Sequence, residues 1–78
     1  KDEDETVRSQ VAYNPNASLE TLKKLATDYN WFVRSNVAYN KNTPPETLTL
    51  LGEDPEESVR KEVAENINTF HHHHFLLQ

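Results

Sequence analysis

Four consecutive histidines, His71–His74, have the plainest capacity for chemistry in this chain. Imidazole is the commonest transition-metal ligand among side chains, so four in a row chelate a divalent ion weakly in any flexible chain. Two histidines on one helix face need a spacing of three or four residues, which only His71 and His74 provide. They therefore predict a weak divalent-metal or pH-responsive site. Residues 70–78 are equally open to interpretation as a capping helix, and the histidines as a tag remnant.

No other set of residues predicts catalysis. The chain has no cysteine, which excludes a disulfide, a thiolate zinc site and a thiol nucleophile. Its single glycine, Gly52, cannot form a glycine-rich phosphate loop. The hydroxyls of Ser9, Ser18 and Ser35 have no histidine base in the repeated part of the sequence. We expect neither enzymatic activity nor a cofactor.

Composition excludes further classes. The 78 residues carry a formal net charge of −5, and no basic face is large enough to offset the repulsion of nucleic-acid phosphates. No apolar run approaches the ~18 residues of a membrane span, and no signal-peptide pattern is present. We therefore expect a cytoplasmic protein that binds neither nucleic acid nor membrane.

The sequence contains an internal repeat of 26 residues, which predicts the helices that position its side chains. Residues 7–32 and 33–58 align without gaps with 13 identities in 26 positions, and residues 59–69 match the second copy at seven of eleven. The repeat predicts one domain over residues 1–78, with repeat 1 at 2–27, repeat 2 at 28–53, a partial repeat 3 at 54–69 and a capping segment or tail at 70–78.

Each repeat predicts two helices. In the first half of each repeat, valines four residues apart form a narrow apolar stripe, as at Val7/Val11, Val33/Val37 and Val59/Val63. In the second half, Leu19, Leu22 and Leu25 share one face. Two such thin stripes cannot be buried by one helix pair alone, so the copies must stack side by side.

The helix ends also have sequence signals. Asp54 precedes a proline and two glutamates, which predicts an N-cap at Asp54. The run from Thr43 to Glu46 predicts a capping box. Asparagines Asn14, Asn40 and Asn66 predict a helix end with a left-handed residue. We expect these asparagines and those two residues further along the chain to be caps and turn residues.

These residues carry a resemblance. The pattern V-R-x-x-V-A-x-N, then N-x-T-P-x-E-x-L-x-x-L and a closing aspartate, resembles the leucine-rich repeat variant family of bacterial helical repeats over residues 2–69. The resemblance implies an all-α solenoid, a right-handed superhelix of stacked pairs of α- and 3-10 helices, here with about two and a half repeats. The spacing of 26 is slightly longer than usual for that family, and the cysteine-rich segment of some members is missing. The family shares no catalytic motif.

An aspartate followed six residues later by an arginine recurs in every copy, and is also similar to HEAT-like repeats. The pairs Asp28/Arg34 and Asp54/Arg60 predict a structural Asp/Arg ladder, because the planar guanidinium can bridge acids or carbonyls of adjacent repeats. The alternative is a row of arginines that binds a ligand.

Comparison of the copies predicts which aromatic residues are exposed. Tyr13 and Tyr39 correspond to Glu65, and Trp31 corresponds to glutamate in both other copies. Tyr13, Trp31 and Tyr39, with Phe32, could form one aromatic patch that anchors a protein partner. For Phe32 we favour a position folded over the seam between two copies, and the same alternative is open for Trp31.

The sequence thus predicts a non-enzymatic helical-repeat module that binds a protein partner, associates with itself or serves as a scaffold. The alternative is a module that responds to metal or pH through His71–His74. Protonation of all four imidazoles would change the formal charge from −5 to about −1 and favour association.

Calorimetric titration with zinc separates these two functions. A metal-responsive module is expected to show a sub-micromolar site, whereas an interaction module shows only weak chelation by the histidine run. If sedimentation gives the same state at about pH 5 and pH 8, where the imidazoles differ in charge, the pH-responsive form of the alternative is wrong.

Overall fold

The computed structural model describes residues 4–66. Within this part of the chain every regular element is an α-helix, and there is no strand. The helices are α1 (Glu5–Tyr13), α2 (Leu19–Leu25), α3 (Trp31–Tyr39), α4 (Pro45–Leu51) and α5 (Glu57–Glu65). The prediction of an all-α fold of helix pairs is confirmed, although no 3-10 helix occurs among these residues.

The odd-numbered helices form one layer. They begin at residues 5, 31 and 57, and α1 packs on α3, which packs on α5. Asn36 Nδ2 donates to the Ser9 carbonyl at 3.0 Å, and Asn40 Nδ2 donates to the Ala12 carbonyl at 2.9 Å. Because this offset of 27 to 28 residues holds along the helices, neighbouring odd helices are parallel and in register. The shorter helices α2 and α4 pack against this layer.

The core lies between the two layers and consists of valine, leucine and alanine. Its buried members are Ala12, Leu22, Ala26, Val33, Val37, Ala38, Leu48, Leu51, Val59 and Val63. Burial of side chains of this kind contributes about 25 cal/mol for each Å² of apolar surface removed from water. Helices of seven or nine residues are too short to be stable alone, so packing across repeats must supply most of their stability.

The apolar stripe of the first repeat is less buried than the sequence predicts. Val7 and Val11 are 43% and 38% exposed, whereas Val33 and Val59 at the Val7 position are completely buried. Within residues 4–66, α3 and α5 each pack on a preceding odd helix, whereas α1 packs only on the following one, so the side of α1 that corresponds to the covered side of α3 and α5 has no odd helix over it. Leu19, predicted on the buried face of α2, is also more than half exposed.

The helix starts correct two sequence predictions. Asp54 is not the N-cap of α5, which is Glu56; the Asp54 carboxylate accepts the Glu56 N–H at 2.9 Å from two residues away. The predicted capping box at Thr43 is also wrong, because the N-cap of α4 is Pro44. Thr43 is fully buried, and its hydroxyl donates to the carbonyl of Val37. A buried hydroxyl needs such an acceptor, and here the acceptor is the end of α3.

The ends of the odd helices lie where the sequence predicts, but for another reason. Asn14, Asn40 and Asn66 are the C-caps, with an extended rather than left-handed backbone. No described residue has a positive φ. Instead, Asn14 Oδ1 accepts the N–H of Asn16 at 2.8 Å, so the side chain organises the turn that follows.

The backbone conformation at Gly52 predicts that alanine at this position stabilises the fold. Gly52 is the C-cap of α4 with a right-handed φ of −65°, and the equivalent residue of the first repeat is Ala26. A Cβ at Gly52 would lie at ordinary contact distances, 3.4 Å from the Leu48 carbonyl and 3.8 Å from the Val63 methyl. Because alanine restricts the unfolded chain, Gly52→Ala is expected to raise the free energy of unfolding by about 0.5–1 kcal/mol.

Thermal denaturation followed by circular dichroism measures this change. The matched control is the reverse substitution, Ala26→Gly, which is expected to lower the melting temperature. A lower melting temperature for Gly52→Ala would mean that the close contacts around residue 52 cannot accommodate a methyl group.

Candidate interaction site

The joint between α3 and α5 is closed by one arginine. Arg34 Nε and Nη2 donate to the two carboxylate oxygens of Asp54 at 2.7 and 3.1 Å. Its Nη1 donates to the Asp28 carbonyl at 2.7 Å. The side chain therefore connects the loop before α3 with the loop before α5 through three charge-assisted bonds.

The joint between α1 and α3 has the same geometry. Arg8 Nε and Nη2 donate to the Asp28 carboxylate at 2.7 and 3.2 Å. The ring of Tyr29 lies 5.0 Å from the guanidinium carbon of Arg8, within cation–π range. Arg8 and Arg34 thus each reach the acid twenty residues ahead, across the joint, and Arg34 binds the backbone carbonyl of Asp28 six residues behind.

All four residues predicted for the Asp/Arg ladder are connected by hydrogen bonds. Asp28, Arg34 and Asp54 are joined by the bonds described above. Arg60 Nη1 donates to the Asp54 carbonyl at 2.7 Å, as Arg34 Nη1 donates to the Asp28 carbonyl. Among residues 4–66 the guanidinium of Arg60 forms no ion pair with a carboxylate.

Two opposing effects set the pKa of the ladder acids. Burial raises the pKa of Asp54, but the hydrogen bonds from Arg34 and from the Glu56 N–H outweigh it, so the pKa lies below its ordinary value. Asp28 is equivalent: burial opposes the hydrogen bonds from Arg8 and the Asn30 N–H, and its pKa is again lowered. Both acids are therefore charged at neutral pH.

Asparagine amides form a second connection between repeats, which the sequence interpretation underestimated. Asn40 Nδ2 donates to the carbonyls of Ala12 and Asn14, both at 2.9 Å. Asn66 Nδ2 donates to the equivalent carbonyls of Ala38 and Asn40, at 2.6 and 3.0 Å. Each amide satisfies the end of the preceding odd helix. The sequence signal for this connection is the recurrence of these asparagines every 26 residues, which the formation of a turn alone does not require.

Tyr13 and Tyr39 stack on each other at the C-terminal ends of α1 and α3. Their ring centroids are 5.2 Å apart and their planes differ by 2°. Each side chain remains more than half exposed, at 54% and 53%. Hydrogen bonding to Tyr39 raises the pKa of Tyr13, so its hydroxyl stays protonated at neutral pH.

The predicted single aromatic patch is wrong, because its members lie at opposite ends of α3. Trp31 contacts Phe32 edge to face, with centroids 5.7 Å apart, at the start of the helix. Tyr39 is eight residues further on, which is about 12 Å along the axis. The prediction that Phe32 folds over the seam is also wrong, because its side chain is 51% exposed. The aromatic residues form two separate pairs.

The tyrosine pair lines a groove that runs across the C-terminal ends of the odd helices. The groove has a volume of about 460 Å³. The residues that matter most for its shape and charge are Tyr13, Pro15, Tyr39, Lys41, Glu62 and Glu65. An open groove with a rigid aromatic wall is a typical form for a surface that accepts a side chain from a partner.

Comparison with known protein families identifies the family to which this helical repeat belongs. The sequence model of the leucine rich repeat variant family matches residues 5–28 and 31–56, which is 50 of the 78 residues. The chain belongs to the leucine rich repeat variant family. This result confirms the resemblance found in the sequence. No curated protein and no solved structure is significantly similar to the chain.

The two leucine rich repeat variant units coincide with the structural repeats. The first match spans α1 and α2 and ends at Asp28, and the second spans α3 and α4 and ends at Glu56, the N-cap of α5. The ladder acid Asp28 therefore closes the first unit, and Asp54 lies near the end of the second. Membership establishes a helical-repeat fold for this chain.

The predicted metal ligands His71 and His74 lie outside the described residues. Within residues 4–66 no three His, Cys, Asp or Glu side chains are grouped so that they could hold a metal ion. None of the five described helices is long and apolar enough to cross a membrane.

The Arg34–Asp54 ion pair predicts that removing the Asp54 charge destabilises the fold to an extent that depends on pH. Asp54→Asn leaves the buried guanidinium of Arg34 without its charged acceptor, and is expected to lower the free energy of unfolding at pH 7 by about 2 kcal/mol. The folded-state pKa of Asp54 is lowered. The contribution of the carboxylate is therefore complete above its unfolded pKa of about 3.9 and is lost as the pH falls through the folded value.

Urea denaturation from about pH 7 down to pH 2 tests this linkage. The difference in stability between the wild type and Asp54→Asn should be greatest at neutral pH and should shrink below about pH 4. Glu46→Gln removes the same charge from an exposed position and serves as the control. A difference that does not vary with pH would show that the Arg34–Asp54 pair adds no charge-dependent stability.

Proposed function

We propose that residues 4–66 form a protein-interaction module without catalytic activity of its own, and that the stacked Tyr13 and Tyr39 anchor the partner. The single observation that supports this proposal is that two large aromatic side chains are fixed in one orientation and yet remain half exposed. Tyrosine provides much contact area at a low cost in conformational entropy. A rigid pair therefore gains more from binding than two independent side chains.

The repeat itself argues that these tyrosines are not required for the core. The same position in the third copy is Glu65, which is also exposed. Since α5 still forms and packs with glutamate at this position, the fold does not require an aromatic residue there. The two tyrosines then need another explanation, and exposed aromatic residues are enriched at binding hot spots.

Trp31 belongs to a second surface in this proposal. It and Phe32 lie at the start of α3, and their exposure leaves both ends of that helix with an aromatic pair. A partner that follows α3 along its length would contact both pairs. The Asp/Arg ladder and the asparagine amides keep the repeats in register, so that the aromatic pairs stay at a fixed separation.

Substitution by glutamate separates an interaction role from a structural one. Tyr39→Glu copies Glu65, and Trp31→Glu copies Glu57. Both variants are expected to keep the melting temperature within about 3 °C of the wild type, because exposed substitutions usually change stability by less than about 0.5 kcal/mol. A large loss of thermal stability in either variant would contradict an interaction role for that residue.

Photo-crosslinking in cells tests the partner directly. A benzophenone amino acid at position 13 should give a crosslinked product that disappears when Tyr39→Glu is added. The same probe at the exposed Leu50 of α4 is the matched control and should not give this product. Identical products from positions 13 and 50, or products insensitive to Tyr39→Glu, would contradict the proposed anchor.

A further inference from the structure

One face of Tyr39 remains open to the groove. Tyr13 stacks on the side of the preceding repeat, at a distance of 5.2 Å between the centroids. The opposite face is therefore turned toward the following repeat, where Glu62 and Glu65 line the same groove. Glu65 occupies the position that tyrosine has in the other two copies, so the aromatic stack is continued by a carboxylate.

We propose that this groove, defined by Tyr39, Glu62 and Glu65, binds an arginine or lysine side chain from a basic segment of a partner protein. An aromatic face attracts a cation through its quadrupole, most strongly when the cation lies within about 6 Å of the ring centroid. Carboxylates beside the ring accept charge-assisted hydrogen bonds, which a guanidinium donates from its planar fork. The groove offers both features at one place.

The surrounding charges favour the same occupant. The C-terminal ends of the parallel helices α3 and α5 lie at this edge, and helix C-termini carry partial negative charge. At α3 the amide of Asn66 already compensates part of that charge by donating to the carbonyls of Ala38 and Asn40. Nothing among the described residues extends this pattern to the last carbonyls of α5. The whole chain, with a net charge of −5, also attracts a basic segment and repels a second copy of itself.

Lys41 is the cation that the protein itself contributes to the groove. It lies in the loop after α3, is exposed, and takes part in interactions within the protein. The groove lining thus carries one ammonium and two carboxylates, so its net charge is negative. Neither other copy has a lysine here, because the equivalent residues are Pro15 and Ile67. A basic side chain of the partner would therefore bind beside Lys41, and it would not take the place of a lysine that all the repeats share.

This inference rests on the proposed interaction function and names the chemistry of its partner. The test uses two capped probe peptides with reversed charge, acetyl-Gly-Arg-Leu-Arg-Gly-amide and acetyl-Gly-Glu-Leu-Glu-Gly-amide. Amide chemical shifts of the ¹⁵N-labelled full chain are followed during titration at low ionic strength. The basic peptide should shift the resonances of Tyr39, Glu62 and Glu65 and should bind at least about tenfold more tightly than the acidic peptide.

A double variant separates a specific site from general attraction. Glu62→Gln combined with Glu65→Gln should weaken the basic peptide about five- to tenfold. Glu46→Gln combined with Glu53→Gln makes the same change in net charge on exposed residues away from the groove, and should weaken it less than about twofold. Tyr39→Leu keeps an apolar side chain but removes the ring, and should cost about threefold.

Several outcomes would overturn the inference. Equal losses in the two glutamine double variants would mean that only net charge attracts the peptide. Tighter binding of the acidic peptide would mean that Lys41, and not the two glutamates, determines what the groove binds. Concentration-dependent shifts of the same resonances without peptide would assign it to a second copy of the chain.

A failure here is distinguishable from a failure of the proposed function. If the crosslink from position 13 is lost with Tyr39→Glu but persists in the Glu62→Gln, Glu65→Gln variant, the module still binds a protein through its tyrosines. In that case the partner does not use a basic side chain, and only the present inference is wrong.

Discussion

The carbonyl groups at the ends of α1 and α3 need hydrogen-bond donors, and the structure supplies them from the next repeat. The amide of Asn40 donates to the carbonyls of Ala12 and Asn14, while its oxygen accepts the N–H of Asn42 at 2.8 Å. One buried side chain thus ends one helix, closes one turn and fixes the position of the neighbouring repeat. Aspartate has no N–H to donate, and glutamine would reach too far, so the position demands asparagine.

The rest of the fold follows from this constraint. Helices of nine residues have few internal hydrogen bonds and a narrow apolar face, so their stability comes from the joints. Those joints combine buried valines and alanines with polar groups that bind at fixed distances: a fork of Arg34 on Asp54 near the start of the helices, and the amide of Asn66 at their end. Two polar contacts at opposite ends of each joint prevent both sliding and splaying. The aromatic pairs are held on a surface whose geometry is set by these joints.

Much of this architecture is predictable from the sequence, because the repeat is long enough to compare with itself. The helix pairs, the buried Leu22 and Leu48, and the exposure of Tyr13 and Tyr39 all follow from matching one copy with the next. The caps were less predictable. Asp54 has the right residue type and neighbours for an N-cap, yet tertiary contacts with Arg34 use its carboxylate instead.

The candidate site was only partly predictable for a related reason. Sequence comparison identifies Trp31 and Tyr39 as exposed, but not that the length of α3 holds them apart. The groove between Tyr39 and Glu65 depends on the spacing of parallel helices, for which no short motif exists. The exposure of Val7 could not be predicted by comparing copies, because the same valine is buried in α3 and α5. Those helices each pack on a preceding odd-numbered helix, and within residues 4–66 α1 has none.

Among the hydrogen bonds that join residues 4–66, two that connect α1 with α3 have no counterpart between α3 and α5, and this gives the stack a mechanical direction. Between α1 and α3, Asn36 and Asn30 donate to Ser9 and Glu5. Their equivalents in the next copy are Glu62 and Glu56, carboxylates that have no N–H to donate. Parallel helices stacked side by side carry a pulling force in series, so the joint with fewer bonds yields first. Under tension we expect α5 to separate from α3 while α1 and α3 remain paired, so that the module lengthens in defined steps.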